Sequence, residues 1–315
     1  MKAVHTPVLP AETIQYLAPR KAGELMVDAN LGEGGHAELF LSRFPELHLI
    51  GIDADPAILV QARKHLAAFG SRIEFYSGWS QDFFAAYLQG KKRPDTILFD
   101  LGISFFHYEM GGRGFSFRKD EPLDMRLDTS RGERAADLLA RLPERELADL
   151  IYKNGEERYS RHIARGIVEA RRHGTIAGSA ALAAIVERSV PPAYRRRPLH
   201  SATRTFQALR IAVNGELDRL PELLGNALEI LESGGRMGVI SFHSLEDRIV
   251  KCFFRDRDFS RDPEEPIDRE KGRARLRILT RKPLAPGEAE IRSNPASRSA
   301  KLRVVEKLPL EGNAA

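Results

Sequence analysis

The sequence predicts an α/β fold in which a mostly parallel sheet is interrupted by a block of helices. Short apolar runs alternate with helical patterns over residues 25–102, which is typical of parallel strands joined by crossover helices. About a hundred residues of helical periodicity follow, and a strand pattern returns at residue 236. A glycine-rich turn, GEGGH at residues 32–36, follows the first predicted strand and marks a ligand site.

The helices and strands are predicted from apolar periodicity and from the glycines and prolines that end them. After an extended lead-in at residues 5–17, which has two prolines and then a short helical pattern, parallel strands are expected at residues 25–29, 48–54, 73–78, 95–102 and 236–244, with helices at 35–44, 56–69, 81–88 and 245–257. The insertion has helices at 135–142, 144–151, 160–172 and 179–189, then a helical region over 203–231 broken near Pro221. Two last strands, RILTRKP and KLRVVEKL, are predicted to form an antiparallel pair at the edge of the sheet. Residues 105–128 and 258–275 have no clear period and are expected to be loops, the first a long functional loop rather than a core element.

Composition indicates a soluble globular protein with a large core and a smaller second unit. Of the 315 residues, 42% are apolar and 30% charged, and no apolar run approaches the roughly 20 residues of a membrane span, so we expect a cytoplasmic protein. The single cysteine, Cys252, excludes an internal disulfide and a cysteine-based zinc site, and histidine spacing predicts no structural metal. The net charge of +5 is compatible with a polyanionic partner, and residues 194–200, 273–282 and 297–303 are candidate phosphate contacts.

Polar residues follow successive predicted strands at the edge where an open parallel sheet binds ligands. They are Gly32, Gly34, Gly35 and His36 after strand one, Asp53 at the end of strand two, Trp79 after strand three and Asp100 at the end of strand four. Asp53 stands 19 positions after Gly34 (53 − 34), where a carboxylate would accept hydrogen bonds from ribose hydroxyls. Each residue also has a structural alternative: Asp53 as a helix N-cap, Trp79 as core and Asp100 as a turn acid. Their coincidence favours an adenosyl ligand.

Two adenosyl ligands compete for this site, a dinucleotide and S-adenosylmethionine. The dinucleotide fingerprint tolerates Ala37 in its third glycine place, so the glycine spacing leaves both open. Asp28 would repel a pyrophosphate but suits the ammonium group of methionine, with Trp79 near the adenine face. The residues therefore favour the methyl donor.

Long motifs resemble the RsmH (MraW) family of 16S ribosomal RNA cytosine-N4 methyltransferases over nearly the whole chain. They are HTPVL, DANLGEGGH, GIDADP, DLGIS, RGFSFRKDEPLDMR, NGEERYSRHIAR, TRTFQALRIAVNGEL, ISFHSLEDRIVK and NPASRSAKLR. The resemblance implies a class I (Rossmann-like) S-adenosylmethionine-dependent methyltransferase with a helical insertion domain after strand four. The expected methyltransferase domain comprises 1–106 and 208–315, and the substrate-recognition domain 107–207.

The resemblance also assigns donor-binding residues. They are Gly34, Gly35, His36, Asp53, Trp79 (where the family commonly has phenylalanine) and Asp100. The family's DLGxSSxQ motif reads DLGISFFH here, so Phe105 replaces a serine and His107 stands at the place of a donor-binding glutamine. Histidine can still donate a hydrogen bond.

Methylation of an exocyclic amine needs an acceptor for the amine hydrogens that aims the nitrogen lone pair at the methyl group. Asp100 is placed for this by strand order, although it could instead bind only the donor, and His243 offers a second polar group or a core histidine. Cys252 lies among large apolar neighbours, which disfavours carbon-5 chemistry. Asp124, Arg126, Arg204 and Phe206 could hold a splayed base by hydrogen bonds and stacking, or could instead form inter-domain ion pairs and core packing.

The resulting prediction is an enzyme that methylates N4 of a cytidine in the P-site region of 16S ribosomal RNA. Its partner would be 16S rRNA within the small ribosomal subunit. Two other classes remain open at this stage, an NAD-dependent oxidoreductase and an RNA-binding module without catalysis.

Overall fold

The structure, a computed structural model, describes residues 6–87, 90–109, 112–258 and 276–309. The chain forms two compact units: a sheet unit of Met1–Ile103 with Leu217–Ala315, and a helical unit of Ser104–Glu216. The sequence-based boundary at residue 207 falls inside a helix, Thr203–Asn214, that packs within the helical unit on Glu144–Gly155.

The sheet unit contains a seven-stranded sheet in the order β3-β2-β1-β4-β5-β7-β6. Its strands are β1 (Leu25–Asp28), β2 (His48–Asp53), β3 (Ile73–Ser77), β4 (Thr96–Asp100), β5 (Arg236–Ser241), β6 (Leu276–Ile278) and β7 (Lys301–Lys307). The first five are parallel, and β7 pairs antiparallel with both β5 and β6. The predicted parallel strands and the final antiparallel pair are confirmed. The parallel register brings the carboxyl ends of β1, β2, β3 and β4 to one edge.

Helices cover both faces of this sheet, as parallel strands require. They are α1 (Pro10–Leu17), α2 (Gly35–Arg43), α3 (Pro56–His65), α4 (Ser80–Ala85), α12 (Glu216–Ile230), α13 (Ser244–Arg255) and α14 (Glu288–Ser293), with 3-10 turns at Ala67–Arg72 and Pro295–Ser299. Met26 packs with α1, α2 and α3 on one face, and the next residue, Val27, packs with α12 and α13 on the other. Because successive strand residues point to opposite faces, the continuous apolar runs fill two cores.

The helical unit contains the helices that periodicity predicts, together with two short ones at residues 105–109 and 192–195 that it does not predict. They are α5 (Phe105–Glu109), α6 (Ala135–Arg141), α7 (Glu144–Gly155), α8 (Ser160–Arg171), α9 (Ser179–Ser189), α10 (Pro192–Arg195) and α11 (Thr203–Asn214). The expectation that residues 105–128 contribute nothing to the core is wrong. Leu123 and Met125 are 1% and 0% exposed, because backbone hydrogen bonds fold this segment back onto Arg113 and α6.

The predicted helical break near Pro221 is also wrong. The chain turns at Gly215, whose φ of 61° is left-handed and whose amide donates to the Ile211 carbonyl as a helix C-cap. Pro221 lies inside α12, where it supplies no amide donor. The loop expected at 258–275 lies outside the described residues except for Asp258.

Candidate active site

A glycine turn links β1 to α2 at the carboxyl edge of the sheet. Gly32 and Gly34 have φ of 54° and 91°, a region that favours glycine. A methyl group added at Gly34 would lie 2.6 Å from Leu66 Cδ1, so Gly34 packs closely against the Leu66 side chain. The turn ends on the N-terminus of α2, whose free amides carry partial positive charge, and it can therefore cradle a ligand with backbone donors.

The Asp53 carboxylate is held at the end of β2 by two backbone amides. Its Oδ2 accepts from Gly32 N–H at 2.9 Å and its Oδ1 accepts from Asp55 N–H at 2.9 Å. The alternative of Asp53 as a helix N-cap is wrong, because Asp55 caps α3 by accepting from Ala57 N–H. Asp53 is thus held in place by the glycine turn itself.

His36 lies between two acceptors in the layer beneath this edge. Its Nε2 is 2.9 Å from the Val8 carbonyl oxygen, and its Nδ1 is 3.4 Å from Asp100 Oδ2. A neutral imidazole has only one N–H, whereas both partners here accept, so the geometry calls for the doubly protonated ring. Burial lowers the pKa of His36, but the hydrogen bond and charge of Asp100, together with Asp28, raise it overall.

Asp28 completes this layer from the end of β1. Burial raises the pKa of its carboxyl group to about 7, against the opposing effect of His36. The side chain is 1% exposed and accepts from Asn30 N–H, so it does not reach the surface where a donor ammonium group would bind. The structure therefore does not support the predicted contact between Asp28 and the donor ammonium group. Asp28 lies beneath the site instead.

Asp100 ends β4 and is the member of the group that is part-exposed. Its Oδ2 faces His36, while its Oδ1 has no hydrogen-bond partner among the described residues. A buried carboxylate oxygen without a donor is costly unless a ligand supplies one. The structure therefore leaves one carboxylate oxygen without a donor among the described residues, at the strand end that the sequence singles out.

Two further predicted residues of the sheet unit have structural partners. Trp79 precedes α4, and the Arg219 guanidinium lies 5.2 Å from its ring centroid. His243 is the N-cap of α13: Nδ1 accepts from Glu246 N–H and Nε2 lies 3.2 Å from Glu246 Oε1. His243 is therefore a helix cap rather than a fully buried core histidine, its Nε2 has no hydrogen-bond partner among the described residues, and its catalytic role stays a prediction.

His107 and the predicted acceptor residues belong to the helical unit. His107 is 2% exposed and packs edge-on against the rings of Phe106 and Phe115. Phe206 is 4% exposed and packs edge-on against Phe117, which is the core-packing alternative. Stacking of a base on Phe206 is therefore not available in this structure.

The other acceptor residues are polar and partly accessible. Arg126 Nε and Nη2 donate to the two oxygens of Asp124 at 2.7 and 2.8 Å, and this pair lowers the pKa of Asp124 against the effect of burial. Arg204 Nη1 donates to the Glu156 carbonyl at 2.6 Å. The Asp124–Arg126 pair lies within one unit and is not an inter-domain ion pair.

The sequence analysis did not predict the hydrogen bonds that fix the backbone of the PLDMR segment. Met125 has a left-handed φ of 58°, which is uncommon for a side chain of this size. Asn214 holds it by donating to the Met125 carbonyl at 2.8 Å and accepting from Leu127 N–H at 2.9 Å. The presence of both residues in long motifs, PLDMR and TRTFQALRIAVNGEL, was the only signal available.

In the described part of the chain, no helix is long and apolar enough to cross a membrane, and no three His, Cys, Asp or Glu side chains cluster as metal ligands.

The strand order, the glycine turn after β1 and the acid that ends β2 define a class I (Rossmann-like) S-adenosylmethionine-dependent methyltransferase. The model of the MraW methylase family matches residues 2–308. The "Ribosomal RNA small subunit methyltransferase H" of Treponema denticola is 52% identical over 310 residues, covering 98% of both chains. Its counterpart from Synechococcus elongatus is 47% identical, covering 96% of this chain and 95% of that protein. The chain belongs to the MraW methylase family, which confirms the predicted resemblance and removes the oxidoreductase alternative.

Proposed function

We propose that this protein methylates N4 of a cytidine in the P-site region of 16S ribosomal RNA, with the small ribosomal subunit as its partner. Its relatives of similar length are named as ribosomal RNA small subunit methyltransferases. The observation that carries the finer assignment is the part-exposed carboxylate of Asp100 at the end of β4, because an exocyclic amine needs an acceptor at the strand end.

The glycine turn and its neighbours are the proposed donor site. The backbone of Gly34, Gly35 and His36 would hold the methionine portion, Asp53 the ribose hydroxyls and Trp79 the adenine face. These residues fit the donor because Gly32 and Gly34 adopt left-handed φ values in the turn that leads into α2, and because Asp53 is fixed by Gly32 N–H. When bound, S-adenosylmethionine supplies an electrophilic methyl group on a sulfonium. His107 remains a proposed donor contact, as the family resemblance implies.

The proposed role of Asp100 is to bind the hydrogens of the target amine. An amino group on a cytosine ring is a poor nucleophile, since its lone pair is delocalised into the ring. A carboxylate that accepts from N–H draws the amine into position and favours the pyramidal form in which the lone pair is free. The His36 imidazolium fixes the other carboxylate oxygen and stabilises its charge.

Asp100→Asn tests this assignment. Its amide can still hydrogen-bond but has lost the charge, so we expect methyl transfer to fall at least about a hundredfold while donor affinity changes only severalfold. Donor affinity is measured by calorimetry, and transfer by mass mapping of 16S rRNA in small subunits from a strain that lacks this enzyme. Asp256→Asn is the matched control, because Asp256 is half-exposed and pairs with Arg255 on the surface.

Full transfer by Asp100→Asn at normal donor affinity would refute the acceptor role. Binding of S-adenosylmethionine without any transfer by the unaltered protein would favour an RNA-binding module. A methyl group placed at a position other than cytidine N4 would refute the finer substrate assignment.

A further inference from the structure

The positive charge of this protein is concentrated in the helical unit. Residues 104–216 contain 20 of the 49 lysines and arginines but only 15 of the 44 acids, so this unit carries a net charge of +5. That equals the net charge of the entire chain, and the rest of the sequence is balanced. A polyanion would therefore be attracted by the helical unit.

Within this unit, three arginines surround a buried tyrosine and form what we name the arginine–tyrosine patch: Arg158, Tyr159, Tyr194, Arg197 and Arg204. The Arg158 and Arg197 guanidiniums each lie 5.0 Å from the centroid of the Tyr194 ring, and Arg158 lies 4.8 Å from that of Tyr159. Both guanidiniums are exposed, and no carboxylate pairs with either among the described residues. Arginines held in position without an acidic partner are available to an external anion.

The base of the patch is rigid. Tyr194 is 7% exposed, and its hydroxyl donates to Glu157 Oε2 at 2.6 Å, while Glu157 Oε1 accepts from Tyr159 N–H. Burial, followed by the hydrogen bond and charge of Glu157, raises the pKa of Tyr194 to about 12, so the phenol stays a neutral donor. The Tyr159 and Tyr194 rings pack edge to face at 4.9 Å. Because the arginines are already held on this base, they lose little further conformational entropy when they bind an anion.

The geometry distinguishes phosphate binding from base stacking. A guanidinium stacked on a ring covers the face that a base would need but leaves its N–H edges pointing outward. Those edges match the oxygens of a phosphate, and Arg204 adds charge beside Tyr194 from α11. The patch is thus suited to the backbone of a nucleic acid strand.

We propose that the arginine–tyrosine patch binds the phosphate backbone of the ribosomal RNA substrate, fixing the strand without reading its sequence. This inference rests on the proposed function for the identity of the RNA.

The test compares Arg158→Gln/Arg197→Gln with the unaltered protein. Binding to small subunits from a strain lacking this enzyme is measured between 50 and 200 mM KCl, with protein-free 16S rRNA as a second probe. Each lost phosphate contact should make the slope of log affinity against log salt shallower by about 0.7, so the double variant should differ by about 1.4. Calorimetry with S-adenosylmethionine checks that the variant is folded.

Arg141→Gln is the control, since Arg141 is an equally exposed arginine of the helical unit that is paired with Glu133 at 2.9 Å. It should keep a slope close to that of the unaltered protein. A double variant indistinguishable from this control, in a preparation that still methylates RNA, would overturn the patch and leave the proposed function standing. A loss of affinity for subunits but not for protein-free RNA would assign the patch to a ribosomal protein and overturn the inference. An unaltered protein that neither binds nor methylates RNA would overturn both proposals.

Discussion

Asp28→Asn should stabilise the protein at neutral and alkaline pH, although it removes a charged side chain next to the active site. The carboxyl group of Asp28 is 1% exposed, and burial raises its pKa to about 7. Above that pH the folded protein must keep an ionised carboxylate out of water. An asparagine of the same shape can still accept from Asn30 N–H without carrying that charge.

The sign and size follow from proton linkage. The unfolded carboxyl group loses its proton near 3.8, while the folded one keeps it until about pH 7, so stability falls as pH rises between these values. A difference of about 3 pK units corresponds to about 4 kcal/mol above pH 7, and to a decline of about 3 kcal/mol between pH 4.5 and 6.5. The raised pKa of His36 acts later: its stabilising contribution is complete below 6.5 and is lost only as pH rises through the folded pKa.

Urea unfolding measures this effect, followed by the fluorescence of Trp79, which is the single tryptophan and lies in the sheet unit. Asp28→Asn should remove most of the decline between pH 4.5 and 6.5. Asp137→Asn is the control, because hydrogen bonds from Arg134 lower the pKa of Asp137 to about 2, so its stabilising contribution is lost only in acid below 3.8. An Asp28→Asn protein with an unchanged pH slope, or with lower stability at pH 8, would refute the reasoning.

Two further predictions concern packing. Lys307→Met should cost about 2–3 kcal/mol, seen as a lower urea midpoint by Trp79 fluorescence, because the buried ammonium donates to three carbonyls at the end of α12. A midpoint equal to that of the unaltered protein would contradict this role. Gly155→Ala should destabilise the helical unit by about 1–3 kcal/mol, since the new methyl group would lie 2.5 Å from the Arg204 carbonyl oxygen. Gly225→Ala, with no atom within 4 Å, should instead raise the melting temperature by circular dichroism, and two glycine variants that shift alike would contradict the packing argument.

The sheet could be predicted because its information is local. An apolar run of four to six residues followed by glycine or an acid predicts a buried strand and its carboxyl end, and β1, β2 and β4 follow this rule. The break at Gly215 was mispredicted because Pro221 is the stronger helix breaker in isolation. The helix ends at Gly215 instead, because this glycine adopts a left-handed φ. Whether a glycine adopts that conformation depends on its tertiary context, which the sequence pattern does not show.

The candidate site was only partly predictable, for a related reason. Strand order placed Asp53 and Asp100 at one edge, but the protonation of His36 depends on a carbonyl at Val8, 28 residues earlier, and on a carboxylate from a different strand. Likewise, the left-handed Met125 depends on Asn214, which is 89 residues away. Contacts across such distances leave no periodic pattern in the sequence, so long motifs can mark these residues without saying what they do.

The division of charge along the chain gives the two proposals a common physical basis. The strand ends gather Asp53 and Asp100, which suit a cationic sulfonium donor but repel a phosphate backbone. A site of this composition cannot by itself attract RNA, so affinity for the substrate has to come from elsewhere in the chain. The helical unit carries the whole net charge of +5 and presents unpaired arginines on a rigid tyrosine base. The insertion after β4 therefore supplies the electrostatic attraction that an acid-rich methyl donor site lacks, and RNA affinity should be far more salt-sensitive than donor affinity.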